Sequence, residues 1–186
     1  QSTLSGNSTA GANAYGGAIF SQYGAVTVSQ STLSGNSTTG DDAQGGAISA
    51  FGAVTVSQST LSGNSTAGPG AEGGAIYAFT GAVTISQSTL TLNNAALSPG
   101  GAIYIFSSPV TITNSIVAGN TAVAGTIPDV RKSPGVGDAF TVTNSLIGRN
   151  NGTGLTASAT PDDNGNLIGG DNSGAAIEPQ LSPLAN

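Results

Sequence analysis

Few side chains in this sequence could carry chemistry, and they are concentrated. Through residue 128 the charged residues are Asp41, Asp42 and Glu72 alone, and the three basic residues, Arg131, Lys132 and Arg149, all come later. Two carboxylates can cleave a glycosidic bond when one donates a proton and the other acts as base or nucleophile, at separations of roughly 5–9.5 Å. Asp42 precedes the pair Gly45-Gly46 and Glu72 precedes Gly73-Gly74, two register positions apart on successive copies of a repeat, so neighbouring coils would bring them within that range. No aromatic platform and no basic partner recurs beside them in the sequence. They are therefore read as solvated loop acids, the chain is expected not to be an enzyme, and no catalytic residue is assigned. Asp162, Asp163 and Asp171 stand among glycines and have the oxygen donors of a Ca²⁺ loop. Their spacing fits neither the EF-hand loop nor the glycine-rich nonapeptide of calcium-binding β-rolls, which favours a polar turn and leaves a metal unassigned. No cofactor is expected.

The charge balance excludes two classes of partner. A net charge of −6 with no basic cluster lacks the footprint of a nucleic-acid binder and the polybasic patch used on anionic membranes. No run of about 18 apolar residues is present, so no membrane insertion through a helix is expected. Position 1 is Gln, without the basic and apolar regions of a signal peptide, which reads as a processed chain or an excised fragment. With no Cys the chain avoids disulfides and reactive thiols alike, which leaves the redox compartment open.

The elements that must position these residues come from a repeat. QSTLSGNST begins at Gln1, Gln30 and Gln58, then degrades to QSTLTLNNA at Gln87, TNSIVAGNT around Asn114 and TNSLIGRNN around Asn144, a period of about 28 residues. GGAI recurs at Gly16, Gly45, Gly73 and Gly100. A third block leads into each QSTL, with Val26/Val28, Val54/Val56, Val83/Ile85, Val110/Ile112 and Phe140/Val142 alternating with threonine. Period two means strand, aliphatics inward and threonines outward. Strands this short cannot bury an apolar face alone, and the period leaves no room for helices, so the coils must stack.

The predicted fold is all-β: a single-stranded, right-handed parallel β-helix, or β-solenoid, of about six coils with three short strands each. Residues 1–150 are the regular repeats, and 151–186, where the register is lost, are an irregular coil or cap continuous with them. Two columns are read as structural ladders that satisfy the corner backbone. One is Asn7, Asn36, Asn64, Asn93, Asn120 and Asn150, and the other Ser2, Ser31, Ser59, Ser88, Ser115 and Ser145. Asn7, Asn36 and Asn64 also head N-x-T sequons, but a ladder amide cannot bear a sugar, so Asn151 is the more accessible acceptor. The paired glycines of GGAI supply dihedrals or close approaches that a Cβ would forbid.

The outward rows form a candidate binding face: Thr27/Ser29, Thr55/Ser57, Thr84/Ser86, Thr111/Thr113 and Thr141/Thr143. Their hydroxyls would lie about 4.8 Å apart across coils and about 6.7 Å apart along each strand. An uncharged threonine array of this kind resembles the ice-binding faces of β-solenoid antifreeze proteins, although threonine is also a favoured exposed strand residue. In its last third, NSIVAGNT from Asn114, PDV at Pro128, TVTNSLIG, GNLIG at Gly165 and EPQLSPLAN at Glu178 resemble bacterial surface β-helix proteins of the choice-of-anchor Q type. The earlier GGAI and STLSGN blocks resemble the repeats of the same group, with Glu178 where Asp is usual. The resemblance implies secretion and exposure at the cell surface, and no shared chemistry.

Gln1 stands in the column of Gln30 and Gln58, so the first copy lacks the strand that precedes every other and would present an unpaired sheet edge. The functional expectation is an extracellular structural protein, the subunit of a surface filament or adhesive stalk, self-associating end to end. The alternatives are an ice- or glycan-binding module using the outward rows, and a carbohydrate-active enzyme centred on Asp42 and Glu72.

Overall fold

The computed structural model describes residues 1–123, 129–133, 139–171 and 175–179. Within them every named strand lies in one of four parallel sheets that run the length of a β-solenoid of about five turns. The alternating Val-Thr-Val-Ser blocks build the most regular wall, here called the threonine sheet: Val26–Ser29, Val54–Ser57, Val83–Ser86, Val110–Thr113 and Phe140–Thr143. Its register sets Thr27 against Thr55, Thr84, Thr111 and Thr141 in turn. Val54, Val56, Val83, Ile85 and Ile112 point inward and are fully buried.

After a corner comes the leucine sheet, of Thr3–Ser5, Thr32–Ser34, Thr60–Ser62, Thr89–Thr91, Ile116–Val117, Leu146–Ile147 and Leu167–Ile168. Two-residue strands follow the asparagine column: Ser8–Thr9, Ser37–Thr38, Ser65–Thr66, Asn94–Ala95 and Thr121–Ala122. The fourth wall, the aromatic sheet, contains Ile19–Ser21, Ile48–Ala50, Ile76–Ala78, Ile103–Ile105 and Val130–Lys132. A coil therefore has four strands rather than the expected three, because a strand of two residues is too short to show a period. Leu33, Ile48, Leu61, Ile76, Leu90 and Ile103 fill the interior, each worth about 1.5–3 kcal/mol of burial.

The corners are held by backbone that most residues avoid. Gln30, Gln58, Gln87, Asn114 and Asn144 all turn from the threonine sheet to the leucine sheet with φ between 48° and 50°. At the next corner Gly6, Gly35, Gly63 and Gly119 take positive φ, and Leu92 stands in the same column at φ 58° with its side chain exposed. A left-handed leucine costs about 1–2 kcal/mol that glycine does not. Leu92→Gly is therefore expected to raise stability by about 1 kcal/mol, read as a higher urea midpoint; a lower midpoint would contradict the assignment of strain to this corner. The GGAI glycines divide their labour: the first takes positive φ, whereas an added Cβ on the second would meet backbone of neighbouring coils.

The register read as lost after Asn150 returns. Asn166-Leu167-Ile168-Gly169 repeats the column pattern of Ser145-Leu146-Ile147-Gly148, and Leu167–Ile168 pairs in parallel with Leu146–Ile147. The sixth copy of the repeat and this returning segment each extend the leucine sheet, so among the described residues that sheet has seven strands and the other three have five. Ser158 makes an antiparallel bridge to Ile168, closing the intervening segment back onto the solenoid.

Candidate functional site

Two polar ladders brace the corners from inside. Asn7 Nδ2 donates to Asn36 Oδ1, and the same bond runs from Asn36 to Asn64 and from Asn64 to Asn93 to Asn120, each at 2.9 Å. The backbone N–H of each rung donates to the same oxygen of the next. The second amide hydrogen reaches back to a carbonyl of the preceding coil, as from Asn64 to Leu33 O at 3.0 Å. The sequons at Asn7, Asn36 and Asn64 thus carry ladder amides, while Asn151 lies outside the ladder and is partly exposed. In the second column Ser2, Ser31, Ser59, Ser88 and Ser115 donate N–H to the hydroxyl of the next serine, ending at Ser145. Ser145 in turn donates N–H to Asn166 Oδ1 at 3.1 Å.

Asn150 does not belong to the ladder. Its amide donates to Leu155 O at 2.9 Å, and the bond from Asn120 Nδ2 ends instead on Asp129 Oδ1 at 2.8 Å. The cause is a substitution in the GGAI column. Val130 pairs with Ile103, which puts Asp129 in the register of the buried Ala102, and its longer side chain reaches the place the next Asn oxygen would hold. Asp129 Oδ2 also accepts the Arg149 N–H at 2.7 Å. Burial pushes this carboxyl up to about 7, against the opposing pull of the Asn120 and Arg149 donors. Nothing in the Asn periodicity marks Asp129, and Pro128 before it lies outside the described residues.

The threonine sheet presents the predicted face in register. Ser29, Ser57, Ser86, Thr113 and Thr143 form the second column beside the threonines, and all ten residues are at least partly exposed. Beside it runs the column of exposed amides Gln30, Gln58, Gln87, Asn114 and Asn144. The leucine sheet adds a further outward column in its first four strands, Thr3, Thr32, Thr60 and Thr89, which the STL motif carried and the sequence reading passed over.

The aromatic sheet supplies what the carboxylates lacked in the sequence. Its outward row is Phe20, Ser49, Tyr77, Tyr104 and Arg131. Tyr77 and Tyr104 stack at 5.6 Å and 5°. Next to that row Phe51, Phe79 and Phe106 follow the strand ends, with Phe51 and Phe79 at 5.0 Å and Phe79 and Phe106 stacked at 4.7 Å. Tyr15 and Phe20 continue the cluster, stacked at 5.2 Å, and both ring pairs with Phe51 are edge-on. Phe20 is 46% exposed and Phe106 43%. Phe51, Phe79 and Phe106 each stand six places after the first glycine of GGAI, a column legible in the sequence and missed.

Glu72 borders this row. Tyr104 lies beside its carboxylate and holds its pKa down, and Ser133 lies beside Tyr104 in turn. Gln44 fixes the segment by accepting the Glu72 N–H at 2.7 Å and donating to Gly70 O at 3.1 Å. Burial raises the Glu72 carboxyl to about 7, Tyr104 and Arg131 oppose that, and Asp42 adds to it. The structure thus brings Asp42, Glu72, two tyrosines and a cation together, although Tyr77 and Tyr104 are only 7% and 6% exposed.

At the far end Asp162 holds a turn, and Asp171 lies outside it with its carbonyl bonded to Arg149. Asp162 Oδ1 accepts the N–H groups of Asn164 and Asn166 at 2.9 and 2.8 Å, and the Asn166 bond chiefly holds its carboxyl below the ordinary value. Among the described residues no group of three or more acidic side chains stands together as a cation site. No helix among them is long and apolar enough to cross a membrane. The fold and its ladders define a parallel β-solenoid repeat protein. No family model, curated protein or solved structure matches the chain.

Proposed function

We propose that this chain is an extracellular structural protein, an adhesive stalk module that meets its target through the threonine sheet. The observation that carries the reading is the in-register double column of hydroxyls, free of charge and bordered by a row of amides. Such a face offers many weak donors and acceptors at fixed spacing, which favours a repetitive, uncharged partner such as an insoluble glycan. The stacked core supports the stalk role, since each coil rests on the next through backbone bonds and buried aliphatics. The resemblance to secreted bacterial β-helix proteins supports the extracellular placement; residues 180–186 of the motif it invokes lie outside the described residues.

The decisive measurement is co-sedimentation with cellulose, chitin and cell-wall preparations. Wild-type protein is expected to be retained, and Thr55→Tyr with Thr84→Tyr to lower retention at least tenfold by breaking the flat array. Equal retention of the double variant would remove the face from the mechanism. A second reading, ice binding, is favoured by the two-dimensional spacing of about 4.8 by 6.7 Å; it requires thermal hysteresis that the same variant abolishes. Self-association into filaments requires end-to-end assemblies in negative-stain electron microscopy, and isolated rods at high concentration would count against it.

A further inference from the structure

The aromatic sheet carries a second surface that the adhesive reading does not use. Four phenylalanines and Tyr15 run from the first coil to the fourth, a length of about 14 Å at the spacing between coils. Phe20 and Phe106, near the ends of the row, are the most exposed, and Phe51 and Phe79 between them are partly exposed. What sets these rings apart from singly exposed residues is that they touch one another along the row, and a contiguous apolar patch marks an interaction surface. Beside the row, Glu72 offers a carboxylate next to Tyr104, on a segment held by the bond from its N–H to Gln44.

This combination selects its ligand chemistry. Aromatic edges and faces pack against the C–H surface of a sugar ring, while a carboxylate and a phenol hydroxyl exchange hydrogen bonds with its hydroxyl groups. In the first four coils the only charged side chains are Asp41, Asp42 and Glu72, so an anionic ligand would meet like charge over most of this surface. Arg131 in the fifth coil is the one cation beside Glu72, and it lies past the end of the phenylalanine row. We propose that the outer face of the aromatic sheet, from Phe20 to Phe106 with Glu72 at its border, is a binding site for a neutral oligosaccharide, separate from the threonine face.

The chain has no Trp, and three of its four tyrosines, Tyr15, Tyr77 and Tyr104, lie in the aromatic cluster, so tyrosine fluorescence responds to a ligand bound there. Titration of the full chain with cellohexaose and chitohexaose is expected to give a saturable change with at least one of them, and little or none with an oligogalacturonate of similar length. Phe106→Ala, at an exposed position, is expected to weaken binding at least tenfold, and Glu72→Gln to weaken it severalfold, with circular dichroism unchanged. Thr55→Tyr with Thr84→Tyr is expected to leave it intact, which separates this site from the threonine face whatever that face binds. Saturation by neither neutral hexasaccharide, tighter binding of the oligogalacturonate, or an unchanged affinity in both Phe106→Ala and Phe20→Ala would overturn the proposal. Loss of binding in the threonine double variant would reassign it to the other sheet.

Discussion

Gly46→Ala is expected to destabilise the solenoid by at least about 3 kcal/mol, enough to leave a marginal domain largely unfolded. The added Cβ would lie 2.2 Å from Gly74 O and 2.5 Å from Ser65 O, both backbone atoms of the following coil. A flexible side chain could swing aside. These atoms cannot, because they belong to the bonded walls of the stack: Gly46 N–H donates to Gly73 O and Ser65 N–H to Asn36 O, at 3.0 and 2.9 Å. The comparison that isolates the clash is Gly35→Ala. Gly35 has φ +63° but open space around its Cβ position, so its alanine bears only the left-handed cost of about 1–2 kcal/mol. Urea unfolding followed by circular dichroism should place the Gly46 variant far below the Gly35 variant. Equal midpoints would show that backbone conformation, not the approach of coils, makes this column glycine.

The second large effect is on pH. Asp129 and Glu72 both titrate near 7 in the folded chain, above their unfolded values of 3.8 and 4.5, chiefly because burial disfavours the charged form. An acid whose pKa rises on folding binds its proton more readily in the native state, so stability should fall as pH climbs from about 4 to about 7 and level off above. For Asp129 the full shift corresponds to about 4 kcal/mol, an upper bound that local rearrangement reduces. Glu72 is more open to solvent and contributes less. Asp162, with its carboxyl held low, acts in the opposite sense and only in more acidic solution. The expected result is a melting temperature several degrees higher at pH 5 than at pH 8, with Asp129→Asn removing most of the difference. Among the described residues the charge that acts on Asp129 is that of Glu178, which adds to its burial, and Arg149 reaches it through its backbone N–H. A flat profile in the wild type would show that the Asn120 and Arg149 donors outweigh desolvation.

Much of this architecture could be read from residue spacing. The Val-Thr-Val-Ser alternation located the threonine sheet to the residue, and the Asn and Ser columns located ladders whose bonds the structure supplies one by one. What spacing could not supply was any contact made by a residue out of phase with the repeat. Asp129 enters the ladder from the alanine column and thereby displaces Asn150, a substitution visible only when the interior is known. Glu72 and Tyr104 are 32 positions apart and meet because one coil's loop lies against the next coil's strand, so the aromatic surroundings of the acids were hidden although each phenylalanine stood in a fixed column. The two-residue strands failed for a simpler reason, since two points define no period.

The asparagine column also gives the molecule a direction. Along the column each amide oxygen accepts from the earlier asparagine and one amide hydrogen points to the later one, so the side-chain dipoles add along the stack and their positive end rests on the Asp129 carboxylate. Each rung strengthens its neighbours by polarisation, and none interacts with a coil beyond the next. In statistical terms the solenoid is a one-dimensional nearest-neighbour chain with a fixed terminator. Whole coils could be added to or deleted from its middle without creating a new kind of contact, whereas a change of a few residues within a coil would put every later rung out of step.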